Sequence, residues 1–149
     1  MYIDETGIQG YIYREYARAP RGVKVYDKIS GKKYKRTNIV AGKCGEEILS
    51  PLVYDGKMDS QFFEAWFKDM FLNEVAENKI IIMDNASFHR KKILYELCNN
   101  ANKNLRLIFL PPYSPELNPI EKYWAILKRR IKKINKNNEG FIDRIYKLF

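Results

Sequence analysis

A chain of 149 residues has room for one domain, and a domain of this size buries about 68–70% of the surface that it exposes when unfolded. Hydrophobic residues make up 46% and aromatic residues 14%, which excludes a disordered protein. The formal net charge is +9, so a polyanion is the first partner to consider.

The positive charge is concentrated in two segments. Residues 14–36 and residues 122–149 each carry a net charge of +7, which leaves −5 on the rest of the chain. One basic run is equally well explained as a solvated surface, but two basic segments around an acidic middle favour a nucleic acid partner. Aromatic and basic residues between 11 and 35 are candidates for contact with DNA or a partner protein.

Two cysteines, Cys44 and Cys98, lie far apart and lack a Cys-x-x-Cys pattern, so we predict neither a zinc site nor a disulfide framework. No apolar run approaches the roughly 20 residues of a membrane span. Met1-Tyr2-Ile3-Asp4 also lacks the basic leader of a secretion signal. We therefore expect a cytoplasmic protein without a membrane partner.

The first half of the chain predicts strands followed by a helix. Tyr2-Ile3 predicts a short strand that ends at Asp4, and residues 37–44 and 48–54 predict an antiparallel hairpin. A helix begins after Asp59 or Ser60, either of which is a suitable N-cap. Its apolar residues recur at helical spacing and predict a long amphipathic helix on the sheet: Phe62, Phe63, Trp66, Phe67, Met70, Phe71 and Val75.

The second half alternates strands and helices. Ile80–Met83 is a continuous apolar run, typical of a strand buried on both faces, and it ends at Asp84. A helix over residues 90–99 and a strand over 105–110 follow. This order predicts an α/β fold, in which an antiparallel hairpin and parallel strands form one mixed sheet with helices on its faces.

The last helix should begin near Pro119, with Asn118 as its cap. Its apolar residues Ile120, Trp124, Leu127, Ile131 and Ile134 form the stripe that packs on the sheet. A neighbouring stripe contains Glu121, Ala125, Lys128 and Lys132, so the two lysines are candidates for binding phosphate. The alternative for both lysines is an ordinary solvated helix face.

Three carboxylates lie at the boundaries of predicted elements: Asp4, Asp84 and Glu121. Sites in open α/β sheets form at the carboxyl ends of the strands, where Asp4 and Asp84 meet if their strands are neighbours. Two carboxylates about 4 Å apart repel by roughly 4 kcal/mol at an effective dielectric of 20, so such a cluster favours a divalent cation. A pair of cations can activate the attacking oxygen and stabilise the leaving oxygen in phosphodiester cleavage.

Each carboxylate also has a structural interpretation. Asp4 is explained equally well as a turn residue, and Asp84 as a helix cap or an Asx-turn residue. Asn118 and Glu121 have the spacing of a capping box. His89 is the only histidine, so a histidine-based metal site is excluded; it could orient water or contact nucleic acid phosphate, or it could serve in a loop or helix cap.

The segments Met83–His89 and Leu110–Glu121 strongly resemble the mariner-like superfamily of transposases, and within it the bacterial insertion-sequence group. The resemblance includes Tyr2–Gly7 and Trp124 and covers nearly the whole chain. It implies a ribonuclease H-like fold with a five-stranded mixed sheet, and a DDE triad formed by Asp4, Asp84 and Glu121, with 36 residues between the second and third members.

The resemblance also implies a function. Such enzymes use Mg²⁺ or Mn²⁺ to cut DNA at the transposon ends and to join the released 3′-hydroxyl to target DNA. It implies a homo-oligomer that brings two ends together, associated with the nucleoid in the bacterial cytoplasm. Lys128, Lys132 and His89 are then candidate contacts with nucleic acid.

Two departures from the family pattern affect these expectations. We expect residues 1–149 to form a single catalytic domain without the N-terminal helix-turn-helix region that recognises transposon ends. A partner polypeptide from an adjacent reading frame would then supply recognition. We also expect the central strand to be short, because only three residues precede Asp4. The alternatives are a decayed copy that only binds nucleic acid, and a ribonuclease H-like nuclease that cuts without joining.

Overall fold

The computed structural model describes residues 1–9, 18–26, 36–112, 114–133 and 141–149. Five strands form one sheet in the order β3-β2-β1-β4-β5. Their bounds are β1 (Tyr2–Gln9), β2 (Arg36–Cys44), β3 (Glu47–Asp55), β4 (Ile80–Met83) and β5 (Arg106–Phe109). The helices are α1 (Ser60–Trp66), α2 (Leu72–Glu74), α3 (Lys91–Asn100), α4 (Ile120–Lys133) and α5 (Phe141–Tyr146).

The sheet is mixed, as predicted. β2 and β3 form the expected antiparallel hairpin, and β1 pairs with β2 in the same antiparallel sense. On its other side β1 is parallel to β4, which is parallel to β5. The central strand therefore joins the hairpin to the parallel part of the sheet.

The prediction that the first strand ends at Asp4 was wrong. β1 continues to Gln9, and Asp4 pairs with Ala41 of β2. Tyr2 and Ile3 pair with β4, whereas the later residues of β1 pair only with β2. The polar run after Ile3 hides this strand in the sequence, because Asp4, Glu5 and Thr6 are residue types typical of a turn, although Thr6 and Ile8 are buried in the structure.

The helix predicted after Asp59 begins as expected, since the side chain of Asp59 accepts a hydrogen bond from the backbone N–H of Phe62. It is not uniform, because a π-helical turn over Phe67–Phe71 separates α1 from α2. The wider turn keeps the rings of Phe67 and Phe71 stacked in the core, with centroids 5.3 Å apart, and leaves Met70 exposed.

Two hydrophobic cores lie on opposite faces of the sheet. The first packs α1, the π turn and α3 against side chains such as Ile3, Ile81 and Met83. The second packs α4 and α5 against Ile8 and Ile39. Four of the five residues predicted to form the inner stripe of α4 are buried. The fifth, Ile134, lies outside the described residues.

One expectation about β4 was wrong. Ile81 and Met83 are fully buried, but Ile80 is 45% exposed on the other face. Ile108 of β5 is 46% exposed on that same face. In the described part of the chain, α4 contacts β1 and α5 contacts β3, so this face of β4 and β5 is only partly covered.

Helix α4 begins close to the predicted position, but the predicted cap was wrong. The backbone N–H of Glu121 donates to the backbone oxygen of Asn118 at 3.1 Å. The side-chain oxygen of Asn118 is buried and has no hydrogen-bond partner among the described residues. The capping-box alternative is not formed either, because neither residue's side chain bonds to the other's backbone in that part of the chain.

Of the basic connection predicted to contact DNA or a partner, only residues 18–26 are described, and they are exposed. The other residues of that segment lie outside the described ranges. No helix within the described ranges is long and apolar enough to cross a membrane.

The contact between Gly42 of β2 and Phe71 tests this packing. A Cβ atom at Gly42 would lie 2.5 Å from Cε2 of Phe71, so Gly42→Ala should displace a ring that is fully buried. We predict a loss of about 1–3 kcal/mol in the free energy of unfolding, measured by urea denaturation. As a control, Lys68→Ala at an exposed position should change the free energy of unfolding by less than about 0.5 kcal/mol. A Gly42→Ala variant as stable as the wild type would contradict the described packing of Phe71.

Candidate active site

One cleft contains all three carboxylates singled out from the sequence. It has a volume of about 400 Å³, and its lining includes Asp4, Asp84 and Glu121 together with Asn118 and Ser114. Leu110, Pro111 and Pro112, which follow β5, form an apolar wall. The cleft is therefore lined by three carboxylates and by an apolar, proline-containing segment.

The register of β1 and β4 explains why the two aspartates meet. Ile3 and Met83 are paired in adjacent parallel strands, so the residues that follow them, Asp4 and Asp84, emerge side by side. This confirms the expectation that their strands are neighbours. Asp4 lies within β1, whereas Asp84 is the first residue after β4.

The carboxyl group of Asp4 has a strongly raised pKa. Burial, with the negative charge of Glu121 as the next contribution, raises its pKa to about 7. The charge of Asp84 raises this pKa as well, while hydrogen bonds from the Glu5 backbone and the Trp124 side chain lower it. Three negative groups thus share a site in which ionisation of Asp4 is unfavourable.

Trp124 contacts the candidate site, although its periodicity in the sequence placed it only in the core. Its indole Nε1 donates a hydrogen bond to Oδ2 of Asp4 at 3.0 Å, while the ring is buried in the second core. A buried Trp requires an acceptor for its N–H group, which is the one signal that could have indicated this role. The bond links α4 to β1 directly at the site.

Asp84 lies at the start of an irregular loop and is mostly exposed. Its Oδ1 accepts a long hydrogen bond of 3.4 Å from the backbone N–H of Ala86, which is the arrangement of an Asx-turn. It does not cap α3, whose N-cap residue is Arg90. The side chain of Asp84 is 53% exposed and can therefore turn further into the cleft.

His89 is buried and contacts Asp84. Its Nδ1 is 3.3 Å from both the backbone oxygen and Oδ1 of Asp84, and its ring contacts Phe63 and Phe88 at centroid distances of 4.4 Å. Burial lowers the pKa of His89, whereas the charge of Asp84 acts in the opposite direction. Its side chain is only 5% exposed, which favours a role in holding Asp84 over the expected contact with nucleic acid.

A salt bridge fixes the far end of this loop to α1. The guanidinium of Arg90 donates two hydrogen bonds to the carboxylate of Glu64, at 2.6 and 2.5 Å. Together with the ring of His89 against Phe63, it attaches the segment that follows Asp84 to the first core. Neither Arg90 nor Glu64 was singled out from the sequence, because a pairing across 26 residues has no local signature.

Glu121 projects from the first turn of α4, as predicted, and is exposed. Lys128 lies two turns further along the same side of the helix, about 10 Å along its axis, and is half-buried. The side chain of Lys132 lies outside what the structure describes. The structure therefore shows only Lys128 of the two lysines that were predicted to share a side of α4 with Glu121.

The donor set of the cleft suits a hard divalent cation, because all three acids offer carboxylate oxygens. Burial and, after it, the charge of Glu121 raise the pKa of Asp4, and a bound cation would offset both effects on the ionised carboxylate. Within the described ranges, however, no three His, Cys, Asp or Glu side chains converge closely enough to form a metal site as they lie. Asp84 and Glu121 are exposed, so their side chains have room to turn towards Asp4.

Comparison with known proteins identifies the family. Residues 1–141 match a family model described as DDE superfamily endonuclease. The chain belongs to this family. A curated relative from Sinorhizobium fredii, the uncharacterized protein y4pE/y4sA, is 39% identical over 49 residues, which is 33% of this chain and 33% of that protein.

Solved structures of Mos1 complexes share the fold of this DDE-family chain. A pre-cleavage Mos1 transpososome aligns with a TM-score of 0.78 and 12% identity, covering 99% of this chain and 47% of that one. A Mos1 strand transfer complex gives 0.76 and 14%, covering 98% and 45%. A Mos1 mariner paired-end complex with Mn gives 0.69 and 12%, covering 97% and 45%.

These alignments confirm the predicted ribonuclease H-like fold. This DDE-family chain spans less than half the length of the solved chains that it matches, and a third of the curated relative.

The raised pKa of Asp4 predicts an unusual pH dependence of stability. Because its folded-state pKa of about 7 lies above the unfolded value of 3.8, ionised Asp4 destabilises the metal-free fold. The penalty is absent below about pH 4 and complete above about pH 7. The rise in pKa from 3.8 to about 7 corresponds to at most about 4 kcal/mol of unfolding free energy.

Asp4→Asn removes this charge at nearly constant size. We predict that the variant melts at a higher temperature than the wild type at about pH 8 in a chelating buffer, and at nearly the same temperature at about pH 4. Thermal unfolding followed by circular dichroism measures both. If the difference in melting temperature between Asp4→Asn and the wild type is the same at both pH values, the pKa of Asp4 is not raised by the fold.

Proposed function

We propose that residues 1–149 form the catalytic domain of a DNA transposase, which cuts DNA at the ends of a mobile element and joins the released 3′-ends to target DNA. The proposal rests above all on one observation. Asp4, Asp84 and Glu121 come from three separate elements and line one cleft, in a chain that belongs to the DDE superfamily endonuclease family.

The three carboxylates are proposed to hold Mg²⁺ or Mn²⁺. A divalent cation would supply the positive charge that activates an attacking hydroxyl and stabilises a leaving 3′-oxygen. One structural neighbour is a Mos1 complex with Mn, which supports this class of cation. Trp124 donates a hydrogen bond to Asp4, whereas Asp84 and Glu121 are exposed and would supply their carboxylates to a bound cation.

The protein's own contribution is positioning. The Asx-turn and His89 hold the segment of Asp84, and the Arg90 salt bridge attaches that segment to α1. Leu110, Pro111 and Pro112 form a wall with little conformational freedom, against which a DNA strand can be aligned with the carboxylates. Correct alignment of the reacting groups accounts for a large part of the rate of phosphoryl transfer.

The basic face of α4 is the proposed path of the DNA backbone. Lys128 follows Glu121 on the same side of the helix, so a phosphate bound there belongs to a strand that continues into the cleft. Lys132 would extend this path by one turn. We propose that Lys128 and Lys132 contact phosphates, and that His89 acts through Asp84.

The assembly is proposed to be a homo-oligomer on two DNA ends. The structural neighbours are a Mos1 transpososome, a strand transfer complex and a paired-end complex, which supports this arrangement. We further propose that a helix-turn-helix region outside residues 1–149 recognises the ends. It would be joined to this domain or carried by a partner polypeptide.

Removal of either exposed carboxylate tests the proposed chemistry. Asp84→Asn and Glu121→Gln should each lower Mg²⁺- and Mn²⁺-dependent nicking of element-end DNA by at least about 100-fold, because each variant loses a cation ligand. The melting temperature should change little, since both side chains are exposed. Asp69→Asn, which changes an exposed acid on the π turn, is the matched control and should retain full activity.

The choice of substrate separates transposition from simple nucleolysis. Supercoiled target DNA, element-end duplexes and an RNA–DNA hybrid should be supplied in parallel, with the terminal DNA-binding region added in trans where it is separate. Joined products on the DNA target support the proposal. Cleavage of the hybrid alone, without joining, would instead indicate a ribonuclease.

The role of Lys128 is tested by the salt dependence of DNA binding. Lys128→Ala should weaken binding to any duplex and reduce the slope of log K against log salt by about 0.9, the value for one phosphate contact. Fluorescence anisotropy over a salt series measures both quantities. Lys68→Ala, on the helix that covers the opposite face of the sheet, should leave the slope unchanged; an equal effect in both variants would refute the proposed path.

A further inference from the structure

Asn118 has a side chain whose position is not explained by the packing. The residue is only 4% exposed, and its Oδ1 atom has no hydrogen-bond partner among the described residues. A buried amide oxygen without a partner costs free energy, because the hydrogen bond that it made to water is lost and not replaced. Such an atom needs an explanation, and a bound ion or an ordered water molecule are two of those that apply in proteins.

Capping of α4 does not supply that partner. An N-cap Asn normally accepts a hydrogen bond through its side chain from the second or third N–H group of the helix. Here the N–H of Glu121 donates to the backbone oxygen of Asn118 instead, and that of Lys122 to the backbone oxygen of Pro119. The side chain is therefore left without the structural role that its place in the sequence predicts.

The location of Asn118 indicates the missing partner. It lines the same cleft as Asp4, Asp84 and Glu121, and its backbone oxygen accepts the hydrogen bond from the N–H of Glu121, so the two residues belong to one turn. The described lining of this cleft contains no Lys or Arg that could donate to its oxygen. The described lining therefore offers this oxygen no cationic side chain, and a bound cation would fill that position.

An amide oxygen is also the donor that this cleft requires. Asn carbonyl oxygens are regular ligands of hard divalent cations, alongside carboxylates. A fourth carboxylate would add another negative charge beside Asp4, Asp84 and Glu121, whereas a neutral oxygen adds a ligand without adding charge. The combination of three acids and one amide therefore binds a cation while limiting the cost of the empty site.

We propose that the side-chain oxygen of Asn118 is a fourth protein ligand of the divalent cation held by Asp4, Asp84 and Glu121. This inference rests on the proposed function, because it assumes the cation site, and it adds a residue to that site. Asn118 thereby couples the start of α4 to the cation, so that metal binding orders the turn from which Glu121 projects.

Metal binding and metal-free stability together test the inference. Binding of Mn²⁺ is measured by electron paramagnetic resonance of the free ion, and stability by thermal unfolding in a chelating buffer. Asn118→Ala should weaken Mn²⁺ binding by about 10-fold. Its metal-free melting temperature should equal or exceed that of the wild type, because the variant loses an unpaired oxygen rather than a bond. Asn99→Ala, at an exposed position near the end of α3, should change neither quantity.

A conservative variant keeps the test informative if Asn118→Ala folds poorly. Asn118→Asp retains an oxygen at the same place, so it should bind Mn²⁺ at least as tightly as the wild type and melt at a lower temperature without metal. Equal weakening in Asn118→Asp and Asn118→Ala would overturn the role as a ligand. A capping residue would show the opposite pattern, with a lower metal-free melting temperature in Asn118→Ala and unchanged Mn²⁺ binding.

The wild type and Asp84→Asn separate this inference from the proposed function. Loss of Mn²⁺ binding in Asp84→Asn together with normal binding in Asn118→Ala would overturn only the role of Asn118. Absence of Mn²⁺ binding by the wild type would overturn the cation site itself, and with it both proposals.

Discussion

The carboxylate of Asp4 is held inside the central strand, beside two other acids, in surroundings that raise its pKa to about 7. Ionisation of a carboxylate in that position is unfavourable. Asp4 is nevertheless held there, because its backbone pairs with β2 and its side chain accepts a hydrogen bond from the indole of Trp124. The rest of the site follows from this constraint. Asp84 is brought beside Asp4 by strand register, and Glu121 by the helix that carries Trp124.

The two cores hold those elements in register. The first core attaches β1 and β4 to α1 and, through His89 and Arg90, steadies the segment that follows Asp84. The second core fixes α4 across β1, with Trp124 belonging both to the core and to the site. Side chains that pack the interior thus determine the distance between the acids, whereas the acids themselves are unfavourable neighbours. A bound cation would convert this repulsion into attraction, which is the physical basis of the proposed activity.

Local patterns predicted much of this arrangement. The hairpin, the capped start of α1, the strand before Asp84 and the inner stripe of α4 all follow from periodicity and turn residues, and these predictions were confirmed. The extent of β1 was missed, because Asp4, Glu5 and Thr6 read as a polar turn when their partner β2 is not known. The exposed face of β4 was also missed, since an apolar run does not reveal which helices cover it.

The contacts that connect distant parts of the chain could not be predicted. The bond from Trp124 to Asp4 joins residues 120 positions apart, and the Arg90 salt bridge depends on how α1 lies against the loop. Asn118 was predicted to cap α4 because its residue type and place fit that role. Only the three-dimensional structure shows that the backbone makes the bond instead, leaving the side-chain oxygen without a partner in the described chain.

The most direct test of the proposed cation site is where a divalent cation binds. Backbone amide signals of the isotopically labelled chain should be followed by nuclear magnetic resonance while Mn²⁺ is added at low molar ratio. We predict paramagnetic broadening concentrated around residues 4, 84–86 and 118–121, which are remote in sequence and come together in this cleft. Broadening that instead spreads over other acidic surfaces, such as Glu46 and Glu47, and spares the cleft would contradict the proposed site.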